Sequence, residues 1–363
     1  MMRKLTVAVL FGGRSSEHTI SCATAGGVLG AIDRDRFEVI PVGITRDGAF
    51  TLQPDDAAAF ALNPDAMPSV ADNGTRVHWP ESATSRELSV LEDGVARSLG
   101  EVDVVFPVLH GPFGEDGTIQ GMLELIGLPY VGNGVLASAL GMDKHFAKRA
   151  LQAAGVSVAP WFAVTEVQWA AEPERWKAKL AGLGMPVFVK PARAGSSVGV
   201  TRVTRSEDLE AALKVAWAED VKALVEQAIT GRELECAVLS GRDGAPPRVS
   251  LPGEIVMTTR EFYDFEAKYL DQDAAQLVCP APLHEGELRE LHRVVARAFE
   301  AIDGAGLARV DVFFNRSEFI VNEINTMPGF TPISMFPKCW EATGIGYREL
   351  ITELIELGLA ARR

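Results

Sequence analysis

The chain has 363 residues, 47% apolar and 23% charged, with a formal net charge of −14. That balance is ordinary for a soluble globular protein of roughly two to three domains, and the acidic excess argues against a nucleic-acid or anionic-membrane surface. Cys22, Cys236, Cys279 and Cys339 are scattered with no CxxC spacing, which points to reduced thiols rather than a zinc site or a disulfide framework.

Arg3-Lys4 ahead of LTVAVLF imitates a secretory leader, but Gly12-Gly13-Arg14 ends the apolar run after seven residues. A first buried strand, Leu5–Phe11, explains it better, and no apolar run reaches the ~18 residues of a membrane span. The glycine turn, with a helix expected in the segment after it, sets an anion or ligand site at that strand's carboxyl end. Phe37–Thr45 reads as a second strand, residues 53–99 carry little pattern, and Val102–Leu109 reads as another buried strand. It runs into His110-Gly111-Pro112 and Gly114-Glu115-Asp116-Gly117, a second glycine-rich loop before a helix at Thr118–Ile126. Residues 1–132 are therefore expected to form an α/β domain with a parallel sheet.

Residues 133–225 read as a central α+β domain. A helix is expected at Met142–Ala153, closed by Gly155. The strand Met185–Pro191 delivers Lys190 into a Gly/Ser-rich loop, Ala194–Gly199. Ser206 is the expected cap of a helix with Leu209, Ala212, Leu213, Ala216 and Trp217 on one stripe. The third domain, residues 226–363, is expected to hold strands at Leu234–Leu239, Glu254–Met257 and Gln276–Cys279, following one at Ala223–Gln227. An amphipathic helix at Glu287–Ile302 comes next, and Gly358 is read as the stop of a C-terminal helix. The polar, aromatic stretch 258–273, with Tyr263, Lys268 and Tyr269, suits an active-site lid.

Between those helices lie two strands, Ala308–Phe314 and Glu318–Asn325. Arg309 and Asp311 are two residues apart and share a face, as do Glu323 and Asn325. Buried carboxylates are costly unless paired or bound to a cation. Asp311, Glu323 and the Asn325 carbonyl are hard oxygen ligands suited to Mg²⁺ carrying a nucleotide's phosphates; the competing reading is an ion pair between Arg309 and Asp311 or Glu323. The loop Ala194–Gly199 lacks the GK[ST] of a P-loop, yet its small residues let backbone N–H groups approach phosphates, and Lys144 and Lys190 add charge. Together these make a coherent phosphoryl-transfer site, which favours the metal reading over the ion pair. Glu226, Gln227, Ala228 and Ile229, followed by Glu233, have a spacing that would frame an adenine and ribose, although solvated turn carboxylates fit the spacing equally. The turn Asn325–Gly329 can aim the Gly329 N–H at a developing oxyanion beside Arg309.

FGGRSSEHTIS (11–21), LHGPFGEDGTIQG (109–121), VKPARAGSSVGV (189–200), EFYDFEAKYL (261–270), RVDVFF (309–314) and NEINTMPGFTPISMFP (322–337) stand in one order along nearly the whole chain. With these six segments the chain resembles the ATP-grasp ligases, and within them the D-alanine–D-alanine ligase family. The resemblance implies a three-domain ATP-grasp fold with ATP between the second and third domains and two Mg²⁺ (or Mn²⁺) ions. It implies Asp311, Glu323 and Asn325 as metal ligands. Lys144, Lys190, Ser196, Ser197 and Lys268 would serve the phosphates, and Glu226 to Ile229 with Glu233 the nucleoside. Glu17 matches the residue that binds the first D-alanine's ammonium, chained to Ser196 and Tyr269. His110 matches a first-substrate histidine, Arg309 and the Gly329 N–H match oxyanion stabilisers, and Ser334 and Met335 match residues at the second substrate's carboxylate. One departure is Gln227-Ala228, where many members carry Lys and an aromatic residue.

The activity so implied is ATP-dependent joining of two D-alanines through a D-alanyl phosphate, for peptidoglycan precursors, in a cytoplasmic homodimer. Small molecules are the expected partners, not nucleic acid or membrane. A relative making D-Ala-D-lactate or D-Ala-D-Ser is the near alternative, and EAKYL in the lid favours the dipeptide. A non-catalytic nucleotide-binding protein on the same fold is the distant one.

Overall fold

The strand Leu5–Gly12 is apolar on both faces and Val7 to Phe11 are fully buried, as a central parallel strand requires. In the computed structural model, which describes residues 3–63, 66–257 and 275–361, it pairs in parallel with Phe37–Ile44 and Val104–Pro107. Phe50–Leu52 adds an antiparallel edge. Val7, Val9 and Phe11 enter one core layer with Val104 and Phe106, while Ala8 and Leu10 enter the opposite layer with Val42 and Val105. The carboxyl ends of Leu5–Gly12 and Val104–Pro107 lead into loops that touch, the Ser15 hydroxyl donating to the His110 carbonyl at 2.7 Å.

Residues 53–99, which carried little pattern, contain a small antiparallel sheet of Arg76–His78, Glu87–Glu92 and Val95–Glu101. Its hairpin turns at Asp93-Gly94, both at positive φ, the Asp-Gly pairing that favours a tight hairpin.

The central sheet orders Thr201–Val203, Val187–Pro191, Lys222–Gln227 and Trp161–Thr165, all antiparallel. Its core sets Phe162 of the last strand against Trp169, Trp176 and Leu213, supplied by two helices the sequence did not announce, Glu166–Ala171 and Pro173–Leu183, and by Leu209–Glu219. Ser206 is not a cap: it opens a short 3₁₀ turn, and no side chain caps Leu209–Glu219. The expected helix 142–153 is broken at Asp143, whose carboxylate accepts the His145 and Phe146 N–H groups and so restarts the helix as Lys144–Ala153.

The third sheet orders Ala275–Val278, Gly253–Met257, Arg232–Leu239, Leu307–Phe314 and Phe319–Asn325, with Arg248–Val249 beside Arg232–Leu239. The helix Glu285–Ala301 buries Leu291, Val295, Ala298 and Phe299 against it. Packing does not follow the divisions at 133 and 226. Ala137 and Leu151 of the helices after residue 133 join the third sheet's core. Phe336, Trp340, Leu350 and Leu354 of the last two helices, Met335–Ala342 and Tyr347–Ala360, join the first sheet's core. Each of these helices carries an apolar face that the nearest open sheet layer covers. Among the described residues no helix is long and apolar enough to cross a membrane.

Gly358 does not stop the last helix, which runs to Ala360. A Cβ at Gly358 would lie 2.9 Å from the Tyr130 carbonyl oxygen, so the glycine is there for close approach of helix and chain. Gly358→Ala should therefore lower stability by about 1–3 kcal/mol, read as a shifted midpoint in chemical denaturation.

Candidate active site

The third sheet builds the floor of the site. Antiparallel register sets Arg309 opposite Asn325 and Asp311 opposite Glu323, and the ladder slips just beyond Asp311, leaving Asn322 as the extra residue. Period-two alternation thus brings all four named side chains to one surface, and the bulge bends the strand beneath them. Glu235 joins them from the neighbouring strand, directly opposite Asp311.

Here the ion pair that the sequence set aside is present. Arg309 donates to both carboxylate oxygens of Asp311 at 2.7 Å each, and its Nε lies 3.2 Å from Glu235. Asn325 donates to Asp311 at 3.0 Å. Burial alone would make the guanidinium easier to deprotonate, but Asp311 and Glu235 hold its pKa well above the ordinary value. A buried guanidinium needs such acceptors, which is the physical reason Arg309 does not stand apart from the carboxylates.

A second charged group lies beside the floor. Glu226 is enclosed between Lys148, at 3.0 Å, and Lys190, which contacts its other oxygen. Burial pushes the Glu226 carboxyl up, and the two ammonium groups overcome that and pull it below the usual range. Glu226 is therefore the counter-ion of two lysines while also bordering the cavity. Lys144 lies 3.6 Å from Glu323 and donates to the Ala194 carbonyl at 2.8 Å, reaching from floor to flap.

The flap is the loop Ala194–Gly199. The Ser196 hydroxyl donates to Glu17, closing the loop onto the first domain. Ser196 and Ser197 both hold positive φ, at 50° and 59°, where residues with a Cβ are seldom found. A Cβ on Gly195 would come within 2.9 Å of the Glu17 carboxylate, so a larger residue there would push that side chain aside.

The turn after Asn325 is fixed by side chains from elsewhere. His110 Nδ1 donates to the Met327 carbonyl at 3.0 Å, which leaves Nε2 to accept from the Thr24 hydroxyl at 3.1 Å. Both ring nitrogens are thus engaged by protein, and His110 supports the turn rather than offering a free nitrogen to a ligand. Asn133 donates to the Thr326 carbonyl at 2.8 Å. Ser334, sharing a 2.7 Å hydrogen bond with Thr331, and Met335 stand at the start of the helix Met335–Ala342, with Lys338 in its first turn.

These parts enclose one cavity of about 980 Å³, with Glu17, Lys144, Lys190, Asp311, Glu323 and Gly329 among its walls. It reaches Ile229 and Glu233 but not Gln227 or Ala228, whose N–H groups bond to the Pro160 and Pro186 carbonyls. Lys268 and Tyr269, and the expected lid at 258–273, lie outside the described residues. Among the described residues no three His, Cys, Asp or Glu side chains form a complete metal cage. The donor set still fits Mg²⁺: two carboxylates face each other across a strand pair, and this ion takes few protein ligands when phosphates and water supply the rest.

Sequence reasoning missed four contributors. Lys148 lies one helical turn from Lys144, and Glu235 lies two residues along a strand from Glu233, so both spacings were available. Lys338 follows Ser334 by a turn. Glu115 binds the Gly111 amide in its own loop and the Met327 amide from far along the chain, and that second partner had no local signal. His110 gives a direct pH test. Burial lowers its pKa below the ordinary 6.5, so protonation is displaced to lower pH. Its imidazole NMR signals should stay those of the neutral ring from pH 8 to pH 6.5.

Known proteins share this arrangement of chain and fold. Residues 6–133 match the sequence profile described as D-ala D-ala ligase N-terminus, and residues 150–356 match that described as D-ala D-ala ligase C-terminus. A D-alanine–D-alanine ligase of Arthrobacter sp. (strain FB24) is 53% identical over 98% of this chain and 94% of its own. That of Kineococcus radiotolerans is 51% identical over 98% and 97%. Among solved structures, the VanG D-Ala:D-Ser ligase of Enterococcus faecalis superposes with a TM-score of 0.83 at 32% identity, covering 98% of this chain and all of that one. The D-alanine–D-alanine ligase of Coxiella burnetii gives 0.78 at 33% identity, covering 99% and 94%.

Proposed function

Because this chain belongs to the D-alanine–D-alanine ligase family, we propose that it joins two D-alanines at the expense of ATP, through a D-alanyl phosphate. The observation that carries the reading is the convergence, in one cavity, of two lysines, two opposed carboxylates and a flap latched to Glu17. Phosphoryl transfer between carboxylate and ATP needs positioned cations and hard oxygen ligands more than it needs covalent catalysis.

In this reading Glu17 receives the first D-alanine's ammonium and aims its carboxylate at the γ-phosphate. Lys190 and Lys144 neutralise phosphate charge, and the 194–199 flap keeps water from the transferring group. Asp311, Glu323 and Asn325 would hold Mg²⁺, one or two ions, which when bound spreads the charge on the phosphates. Glu233 and Ile229 take the nucleoside end. The second D-alanine's carboxylate meets Ser334, Met335 and Lys338 at a helix N-terminus, where the dipole favours an anion. Its amine attacks the acyl phosphate carbonyl, and the Gly329 N–H with Arg309 stabilises the oxyanion. Lys268 and Tyr269 belong to the proposed lid. The likeness to the Enterococcus D-Ala:D-Ser ligase makes D-serine the second reading for the attacking amine. A cytoplasmic homodimer is part of the proposal, resting on the family alone.

Incubation with ATP, D-alanine and an equal amount of D-serine or D-lactate, with products weighed, tests the substrate. D-Ala-D-Ala should predominate, and a predominant mixed product overturns the choice. Phosphate release that does not depend on D-alanine would favour a nucleotide-binding protein instead. Glu323→Gln should cut ligation by at least about 100-fold while circular dichroism stays unchanged, and calorimetry should show lost Mg²⁺ dependence of ATP binding. Near-wild-type turnover would remove Glu323 from the site.

A further inference from the structure

We propose that Glu115 is a positioning residue for the second chemical step, holding the Met327 amide so that the turn ending in Gly329 stays aligned with the first-substrate loop. The inference rests on the ligase reading above.

One Glu115 oxygen accepts the Gly111 N–H at 2.8 Å and the other accepts the Met327 N–H at 3.1 Å. Gly111 follows a strand of the first sheet, and Met327 follows a strand of the third. The Met327 carbonyl is meanwhile held by His110 at 3.0 Å. Both polar groups of one backbone residue are therefore gripped by side chains of a single short loop, His110 to Glu115. With Asn133 on the Thr326 carbonyl, the backbone just ahead of Gly329 is fixed at three points. A backbone oxyanion donor is effective only when oriented beforehand, and a misplacement of about 1 Å can cost about 100-fold in rate.

The loop that carries Glu115 packs closely at its glycines. A Cβ on Gly111 would lie 2.6 Å from a Glu17 oxygen, and one on Gly114 would lie 2.6 Å from the Leu109 Cβ. Glu115 lies in this same loop, close enough to Glu17 to feel its charge. Burial and the Glu17 charge push its carboxyl up to about 8, against the Gly111 and Met327 amides and Arg309, which hold it down. An ammonium seated at Glu17 would cancel the opposing charge and favour the ionised Glu115 carboxylate, both of whose oxygens accept. Filling the first subsite then firms the turn that the second step uses.

Glu115→Gln cannot accept from both amides, because its own NH₂ would face an N–H donor; Glu115→Ala accepts from neither. In both, kcat for dipeptide should fall at least about tenfold, with the KM for ATP moving less than about twofold. Phosphate released per dipeptide should rise above one, because acyl phosphate forms and is then lost to water. Thermal melting accompanies each assay, and if either variant fails to fold, Glu115→Asp, which keeps the charge but draws it back from the amides, is judged by the same ratio. One phosphate per dipeptide in the folded variants overturns the proposal, whatever happens to kcat. A wild-type enzyme that makes no dipeptide removes the ligase reading itself. A wild type and variants that are all tightly coupled remove only the role of Glu115.

Discussion

Glu226 between Lys148 and Lys190 is the constraint on which the rest of the site depends. Each of the three charges would be costly to bury alone, by several kcal/mol, and removing Glu226 strands both lysines. Glu226 and Lys190 come from paired strands of the central sheet, while the helix bearing Lys148 packs with the third. The triad therefore joins two layers of the molecule and fixes Lys190 within the cavity. Its net charge of one positive unit sits inside a chain whose overall charge is strongly negative. An anion drawn to this cavity is drawn by local arrangement, not by the field of the whole protein.

Arg309 shows how one residue can satisfy two readings. Its partner Asp311 is the same carboxylate that the metal reading needs. Nε and Nη2 reach Asp311, and a guanidinium has five N–H groups, so the side chain retains donors for an oxyanion while it stays paired. Pairing in turn holds Asp311 in the floor, where its opposite number Glu323 lies across the ladder.

Much of this floor was legible in the sequence because strands alternate strictly. Residues two apart share a face, so Arg309 with Asp311 and Glu323 with Asn325 could be paired from spacing alone. The bulge at Asn322 could not, since an extra residue in a ladder carries no local mark. The first parallel sheet was legible from continuous apolar runs ending in glycine, and the amphipathic helix before the floor from its stripe. The small sheet in 76–101 was missed although Asp93-Gly94 marks its turn, because its outer strand Val95–Glu101 is almost wholly exposed and offers no apolar alternation. Gly358 misled because a glycine late in a helix reads as a stop, and its contact with Tyr130 lies far away in sequence. Glu115 and His110 act on Met327 across more than two hundred residues, so their partner exists only in the folded chain.

The bond from Ser196 to Glu17 has a thermodynamic consequence. It ties the loop proposed to cover the nucleotide to the acid proposed to receive the first D-alanine. Ligands on the two sides therefore act on a single equilibrium between latched and released flap, and linkage makes their influence mutual. Whatever factor the nucleotide applies to the dissociation constant of the amino acid, the amino acid must apply to the nucleotide. In the proposed function, cooperativity between two chemically unlike substrates would then be carried by one hydroxyl's hydrogen bond.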